Sequence, residues 1–179
     1  NIEYVNGLIV RKPNGHLMLT DPRPYIKDLD SIPFPAWDMA PHLKYYHESA
    51  TRFSKLPLAS IITSRGCPGR CLFCDNKTFG RKFRTHSAKY VIDMIKYLKA
   101  SYGIRSLVFY DDYFIADKKR LYEICNMMIQ EQLILQWVCS ARVNAVNDEM
   151  LSLMKRAGCF QIAYGIESGN QDILNFQQK

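Results

Sequence analysis

From residue 58 onward, short apolar runs alternate with amphipathic helical stretches, and that alternation leaves few folds open to the chain. Runs rich in β-branched and aromatic residues fall at 59–63, 106–110, 136–140 and 161–165 and are expected as strands. Between the first two, Ser87 can cap a helix that carries Val91, Ile92, Ile95 and Leu98 on one face and ends at Gly103. Asp117 can cap a second helix, with Leu121, Ile124, Cys125 and Met128 on its apolar face, and Asn147 a third that Gly158 stops. Strand-helix units of this spacing imply a parallel sheet with right-handed crossovers, in which reactive groups belong at the C-terminal ends of the strands.

The chain before residue 58 has a different character. Gly7-Leu8-Ile9-Val10 and His16-Leu17-Met18-Leu19 flank Pro13-Asn14-Gly15, a turn sequence, and read as a hairpin. Residues 21–57 hold six prolines and no sustained period, so an extended connector is expected, anchored at a few points such as Trp37 and Tyr45. At 179 residues the chain suffices for one core with a small appendage. It starts at Asn1 inside strand pattern and stops in Asn170-Gln171-Asp172-Ile173-Leu174-Asn175-Phe176, where a helix is beginning, so it reads as a segment of a longer protein. No apolar stretch is long enough to span a bilayer and no secretory leader pattern is present at the start.

Six cysteines occur, three of them in Gly66-Cys67-Pro68-Gly69-Arg70-Cys71-Leu72-Phe73-Cys74-Asp75, a CxxxCxxC triplet just after the first strand. Three thiolates fill three corners of a four-iron cluster and leave one iron open to an outside ligand, whereas structural and electron-carrying clusters usually have four cysteine ligands. Cys125, Cys139 and Cys159 sit in apolar segments and are expected as packing, with contact to substrate as the other reading for Cys139 near the strand end. Triplet spacing with unpaired remaining cysteines points to a reducing cytoplasm. The net charge of +7 is concentrated locally: Arg65, Arg70, Lys77, Arg81, Lys82 and Arg84 lie in or beside the cysteine loop, where they offset thiolate charge and attract an anionic ligand. A nucleic-acid partner is therefore not expected.

On the CxxxCxxC run with its aromatic Phe73, the chain resembles the radical S-adenosylmethionine superfamily. Thr78-Phe79-Gly80-Arg81-Lys82-Phe83-Arg84, Phe109-Tyr110-Asp111-Asp112-Tyr113-Phe114 and Gly165-Ile166-Glu167-Ser168-Gly169 are similar to stretches of its cobalamin-linked branch. Asp28-Leu29-Asp30-Ser31-Ile32-Pro33-Phe34-Pro35-Ala36-Trp37-Asp38 resembles the connector that leads there from an N-terminal cobalamin domain. The resemblance implies an α/β fold, the first four or so units of a (β/α) barrel over residues 58–179, preceded over 1–57 by hairpin and connector. It also implies an enzyme: a 4Fe–4S cluster on Cys67, Cys71 and Cys74 cleaves S-adenosylmethionine to methionine and a 5'-deoxyadenosyl radical. The outcome would be methylation or rearrangement of a lipid, tetrapyrrole, peptide or other natural product, with cobalamin as a further cofactor and an external reductant such as flavodoxin or ferredoxin.

The resemblance further assigns ligand contacts, each with an alternative. Phe73 would shield the cluster and seat the adenine, or be an ordinary buried aromatic. Asp111 and Asp112 would accept hydrogen bonds from the ligand ammonium, or serve as turn formers and caps; adjacent residues point opposite ways, so only one faces the ligand. Ser140 and Arg142 follow the third strand, and Arg142 would clamp the carboxylate or pair with Glu167. Glu167 and Ser168 would bind the ribose hydroxyls, or cap their loop. His86 is read as a loop or capping residue. Rival functions are a zinc site using the three cysteines with His86, an iron-sulfur electron carrier, and a tRNA-modifying relative of the methylthiotransferase kind.

Overall fold

The computed structural model describes residues 2–45, 55–75 and 78–179. Lys77 of the basic cluster and residues 46–54 of the connector lie outside them. The hairpin forms as β1 (Ile9–Arg11) and antiparallel β2 (Leu17–Leu19), with Gly15 at φ +83° in the turn. Four parallel strands follow: β3 (Leu58–Ile61), then β6 (Ser106–Phe109), β7 (Gln136–Ala141) and β8 (Cys159–Tyr164), side by side in chain order. Between β3 and β6 a two-residue pair, β4 (Ser64–Arg65) and β5 (Arg84–Thr85), runs antiparallel and closes the base of the loop that carries the cysteines.

The helices α1 (Ala88–Tyr102), α2 (Lys118–Gln130) and α3 (Asp148–Arg156) are capped by Ser87, Asp117 and Asn147, whose side chains each accept a backbone N–H three residues on. Gly103 ends α1 at φ +64°. The short α4 (Gln171–Phe176) follows, capped by Asn170. Ile61, Leu107, Phe109, Trp137 and Cys139 bury against Ile92, Ile95, Leu98, Leu121 and Ile124 of the helices. Trp137 is fully buried at that junction, its ring edge-on to Phe109 at 5.4 Å and its Nε1 donating to the Ala157 carbonyl at 2.8 Å. Ser60, Ser140 and Ala163, of opposite strand parity, are exposed.

The connector differs from the sequence expectation at one anchor. Trp37 packs at the edge of the core, but Tyr45 is exposed, and Leu43 takes the buried place in the same single 3-10 turn, with Leu29 buried further upstream. A lone aromatic in a proline-rich stretch carries no periodicity to tell which neighbour turns inward. The first parallel strand also stops at Ile61 rather than 63, because Thr63 and Ser64 turn away into the interactions described next. No helix among the described residues is long and apolar enough to cross a membrane.

Candidate active site

The cysteine loop starts from a buried polar knot. Asp111, two residues past the end of β6, accepts the Thr63 N–H at 2.9 Å, the Thr63 hydroxyl at 3.1 Å and the Ser64 hydroxyl in a short hydrogen bond. Arg120, buried on α2, donates Nη2 to the Thr63 carbonyl at 3.0 Å and to its Oγ1 at 2.6 Å, and Nε to the His86 carbonyl at 2.6 Å. Burial pushes the Asp111 carboxyl up, opposed by the Ser64, Arg120 and Thr63 contacts, and burial likewise pulls Arg120 down, opposed by Asp111. Asp111 therefore spends its oxygens inside the protein, whereas Asp112 is exposed and close enough to Cys67 for its charge to raise that thiol. Of the acidic pair, only Asp112 is open to a ligand.

Two close approaches set the path of the loop. The Cys67 N–H bonds the Gly80 carbonyl at 3.3 Å, and a Cβ at Gly66 (φ +81°) would stand 2.6 Å from the Lys82 carbonyl oxygen and 2.7 Å from that of Gly80. Cys67 and Cys71 direct their sulfurs to one place: both lie within 4.0 Å of the point where a Cβ on Gly69 would sit, and an Arg142 Nη1 lies 3.9 Å from it. The Gly69 N–H donates to the Cys67 sulfur at 3.4 Å. Burial raises the Cys67 thiol, and Asp112, Cys74 and Cys71 raise it further, while the Gly69 bond opposes them. Converging sulfurs suit a cationic iron cluster, whose binding displaces thiol protons. All six cysteines are free.

His86 does not join the cysteines. It is buried, stacked on Tyr90 at 4.0 Å, with Nδ1 3.3 Å from Asp30. Those contacts engage His86 away from the cysteine loop, and among the described residues no three His, Cys, Asp or Glu side chains, the cysteine triplet included, are grouped to hold a metal ion. Cys125, Cys139 and Cys159 are buried; burial pushes Cys125 up to about 12, and a hydrogen bond with Cys159 raises Cys139, so both are inert packing thiols.

The remaining rim residues gather around a cleft of about 300 Å³ bounded by Arg142, Asn144, Gly165, Ser168, Gln171 and Lys179. Ser140 stands next to it, exposed on β7 and paired with Ala163 of β8. Glu167 has a left-handed backbone (φ +61°), uncommon for a side chain of its size, and pairs with Lys179 at 3.1 Å rather than with Arg142. The Ser168 hydroxyl accepts the Asn170 N–H at 3.0 Å, a loop-capping bond that leaves its lone pairs and proton partly available. Phe73 is 52% exposed at the loop tip, with the Lys179 ammonium 5.6 Å from its ring centroid, so it is not a core aromatic. A larger cleft of about 380 Å³, lined by Lys55, Arg105, Lys155 and Gly158, opens where β7 and β8 begin, at the opposite end of the strands from the cysteine loop. Of the supports of the site, Arg84 is marked in the sequence only as one of the basic residues beside the cysteine loop and as the end of the stretch 78–84, and Thr63 only as a strand residue. Arg120 has a signal of its own, a charge set on the same face as Leu121, Ile124 and Met128.

Residues 61–178 match the Radical SAM superfamily. The chain is 39% identical over 166 residues to an uncharacterized methyltransferase of Pyrococcus horikoshii, covering 92% of this chain and 35% of that protein. It is 28% identical over 177 residues to the anaerobic magnesium-protoporphyrin IX monomethyl ester cyclase of Rubrivivax gelatinosus, covering 98% and 31%. Its fold superposes with a TM-score of 0.71 on the radical S-adenosylmethionine methyltransferase TsrM of Kitasatospora setae, solved with tryptophan and a SAM analog, at 18% identity over 97% of this chain and 34% of that one. Another TsrM structure, with cobalamin and a 4Fe–4S cluster bound, gives a TM-score of 0.61 at 21% identity, over 65% of this chain and 24% of that one. The chain thus spans about a third of the length of the relatives it matches. With a cysteine triplet seated at the C-terminal end of a parallel sheet and a family match across that sheet, the chain belongs to the radical SAM superfamily.

Proposed function

We propose that this chain is the cluster- and S-adenosylmethionine-binding part of a cobalamin-linked radical enzyme, with residues 58–179 forming the first part of the barrel and residues 1–57 the hairpin and connector from a cobalamin-binding domain. The observation that carries the reading is the convergence of Cys67 and Cys71 over Gly69 with Arg142, which also lines the rim cleft, beside them. A 4Fe–4S cluster held by Cys67, Cys71 and Cys74 supplies an electron and one open iron for the amino and carboxylate groups of S-adenosylmethionine. The protein's part is orientation. Arg142 offers a planar fork to the ligand carboxylate, and Asp112 offers exposed oxygens to its ammonium. Ser168 lines the rim cleft, Ser140 and Glu167 adjoin it in the chain, and these three would offer donors and acceptors to the ribose hydroxyls, while the exposed Phe73 ring would cover a bound cluster against water.

Methyltransferase and cyclase relatives support methylation or rearrangement of a tetrapyrrole or another small molecule, and a flavodoxin or ferredoxin in a reducing cytoplasm would supply the electrons. The whole protein, reconstituted without oxygen and given a strong reductant and S-adenosylmethionine, is expected to release 5'-deoxyadenosine. A verified cluster with no deoxyadenosine formed would overturn the reading in favour of an electron carrier.

A further inference from the structure

The cysteine loop is held at its far side by a side chain that the sequence marks only by its place in the basic stretch 78–84. Arg84, in β5, is buried to 9% exposure, and its guanidinium is spent on three backbone carbonyls: Nε on Lys82 at 3.2 Å, Nη2 on Phe79 at 3.2 Å and Nη1 on Ile26 at 3.1 Å. The first two carbonyls belong to the return arm of the cysteine loop, whereas Ile26 belongs to the connector. The ring of Tyr25 covers the guanidinium at 4.4 Å from its centroid. The Tyr25 hydroxyl lies where Gly80 has no side chain: a Cβ there would stand 2.3 Å from it. Gly80 in turn supplies the carbonyl that the Cys67 N–H bonds. An unbroken chain of contacts therefore runs from Tyr25 and Ile26 through Arg84 and Gly80 to the first cysteine. A second tie lies alongside, where Asp30 accepts the Ser87 N–H at 2.9 Å and Tyr90 donates its hydroxyl to the Ile32 carbonyl at 3.0 Å.

We infer that Arg84 and Tyr25 form a latch by which the connector positions the cysteine loop, so that the hold on the cluster is set from the N-terminal side of the barrel. The inference rests on the cluster reading above. Arginine suits the task because a planar fork can bond three carbonyls in fixed directions while keeping its charge, which a lysine ammonium at one point cannot do. Pinning carbonyls of both segments with one charged group costs their mutual freedom and narrows the loop to one arrangement of sulfurs.

The test compares Arg84→Gln, Arg84→Lys, Tyr25→Leu and Tyr25→Phe with the parent in the whole protein. Three readouts are followed: iron release to a chelator, the electron paramagnetic resonance spectrum of the reduced cluster, and trypsin cleavage within residues 66–83 of the metal-free protein. Arg84→Gln should speed iron release on the order of tenfold, the factor carried by one hydrogen bond to a charged group, and should alter the spectrum. Arg84→Lys and Tyr25→Leu should give smaller changes in the same direction, and Tyr25→Phe, which keeps the ring, should stay near the parent. Should Arg84→Gln fail to fold, Tyr25→Leu decides, since that ring is 47% exposed and lies outside every helix and strand. Parental iron release, spectrum and cleavage in both Tyr25→Leu and Arg84→Lys would overturn the latch. A parent that takes up no iron would instead overturn the cluster reading, and the metal-free cleavage rates would still decide the latch.

Discussion

The sheet with its helices and the cysteine loop are held together by opposite means. In the first, Leu98, Leu107, Phe109, Ile124 and Trp137 exclude water from a common interior, and order follows from apolar area and shape. In the second, Leu72, Phe73 and Cys74 are exposed, and the path is fixed by hydrogen bonds to Asp111, Arg120 and Arg84 and by glycine crossings at Gly66 and Gly80. A body built from packing tolerates volume-conserving change and responds to cavities. A loop built from charged hydrogen bonds responds to the loss of a single donor. The difference teaches that stability and cluster chemistry should separate under mutation.

The sharpest separation comes from the cysteines themselves. Cys67→Ala, Cys71→Ala and Cys74→Ala should each abolish the intact cluster while the metal-free protein melts near the parental temperature, because none of the three contributes to the core. Cys125→Ala should do the reverse, keeping about four irons and four sulfides while losing stability. Iron analysis beside thermal melts checks both; equal loss of fold in all four would erase the distinction.

Next in size is Asp111→Ala, which leaves the buried Thr63 N–H and the Thr63 and Ser64 hydroxyls without their acceptor and should cost on the order of 3 kcal/mol in denaturant unfolding. It is the one substitution expected to damage both regions, since Thr63 and Ser64 start the loop. Leu98→Ala, fully buried on α1, should cost about 2–5 kcal/mol and leave the spectrum of any cluster bound by the folded fraction unchanged.

Most of the packed body was legible in the chain, because caps and apolar stripes are local signals: Ser87, Asp117 and Asn147 each cap the helix expected of them. The hairpin was legible for the same reason, through Asn14 and Gly15. The cysteines were legible by spacing alone. What holds them was not, since the Asp111 to Ser64 contact spans 47 positions and the Arg84 to Ile26 contact 58. Strand alternation implied that only one of Asp111 and Asp112 faces the ligand but not which, and burial separates the inward carboxylate from the exposed one. Tyr45 misled for a related reason, as an aromatic in an extended stretch says nothing about which neighbour turns inward.

Smaller effects sharpen the site. Asp112→Asn should weaken S-adenosylmethionine binding by about 1.5–3 kcal/mol without changing unfolding, whereas Asp111→Asn should change unfolding first; titration and denaturation of the same two variants read this out. His86 offers a pH handle on the body. Burial holds its imidazole below the ordinary value of 6.5, against the opposing pull of Asp30, so the folded protein favours the neutral ring. The unfolded chain then binds the proton more readily, and stability present above pH 6.5 should be lost as pH falls through the lower, folded value. Melting temperature against pH should therefore fall less steeply on the acid side for His86→Asn than for the parent.

The most direct test of the three-cysteine assignment is the electron paramagnetic resonance spectrum of the reduced cluster in the whole protein, recorded without and with S-adenosylmethionine. An iron with no cysteine ligand is open to the ligand's amino and carboxylate groups, so the account predicts that adding S-adenosylmethionine changes the spectrum, and that Cys67→Ala shows no such cluster signal. An intact four-iron cluster whose spectrum is the same with and without saturating S-adenosylmethionine would contradict it.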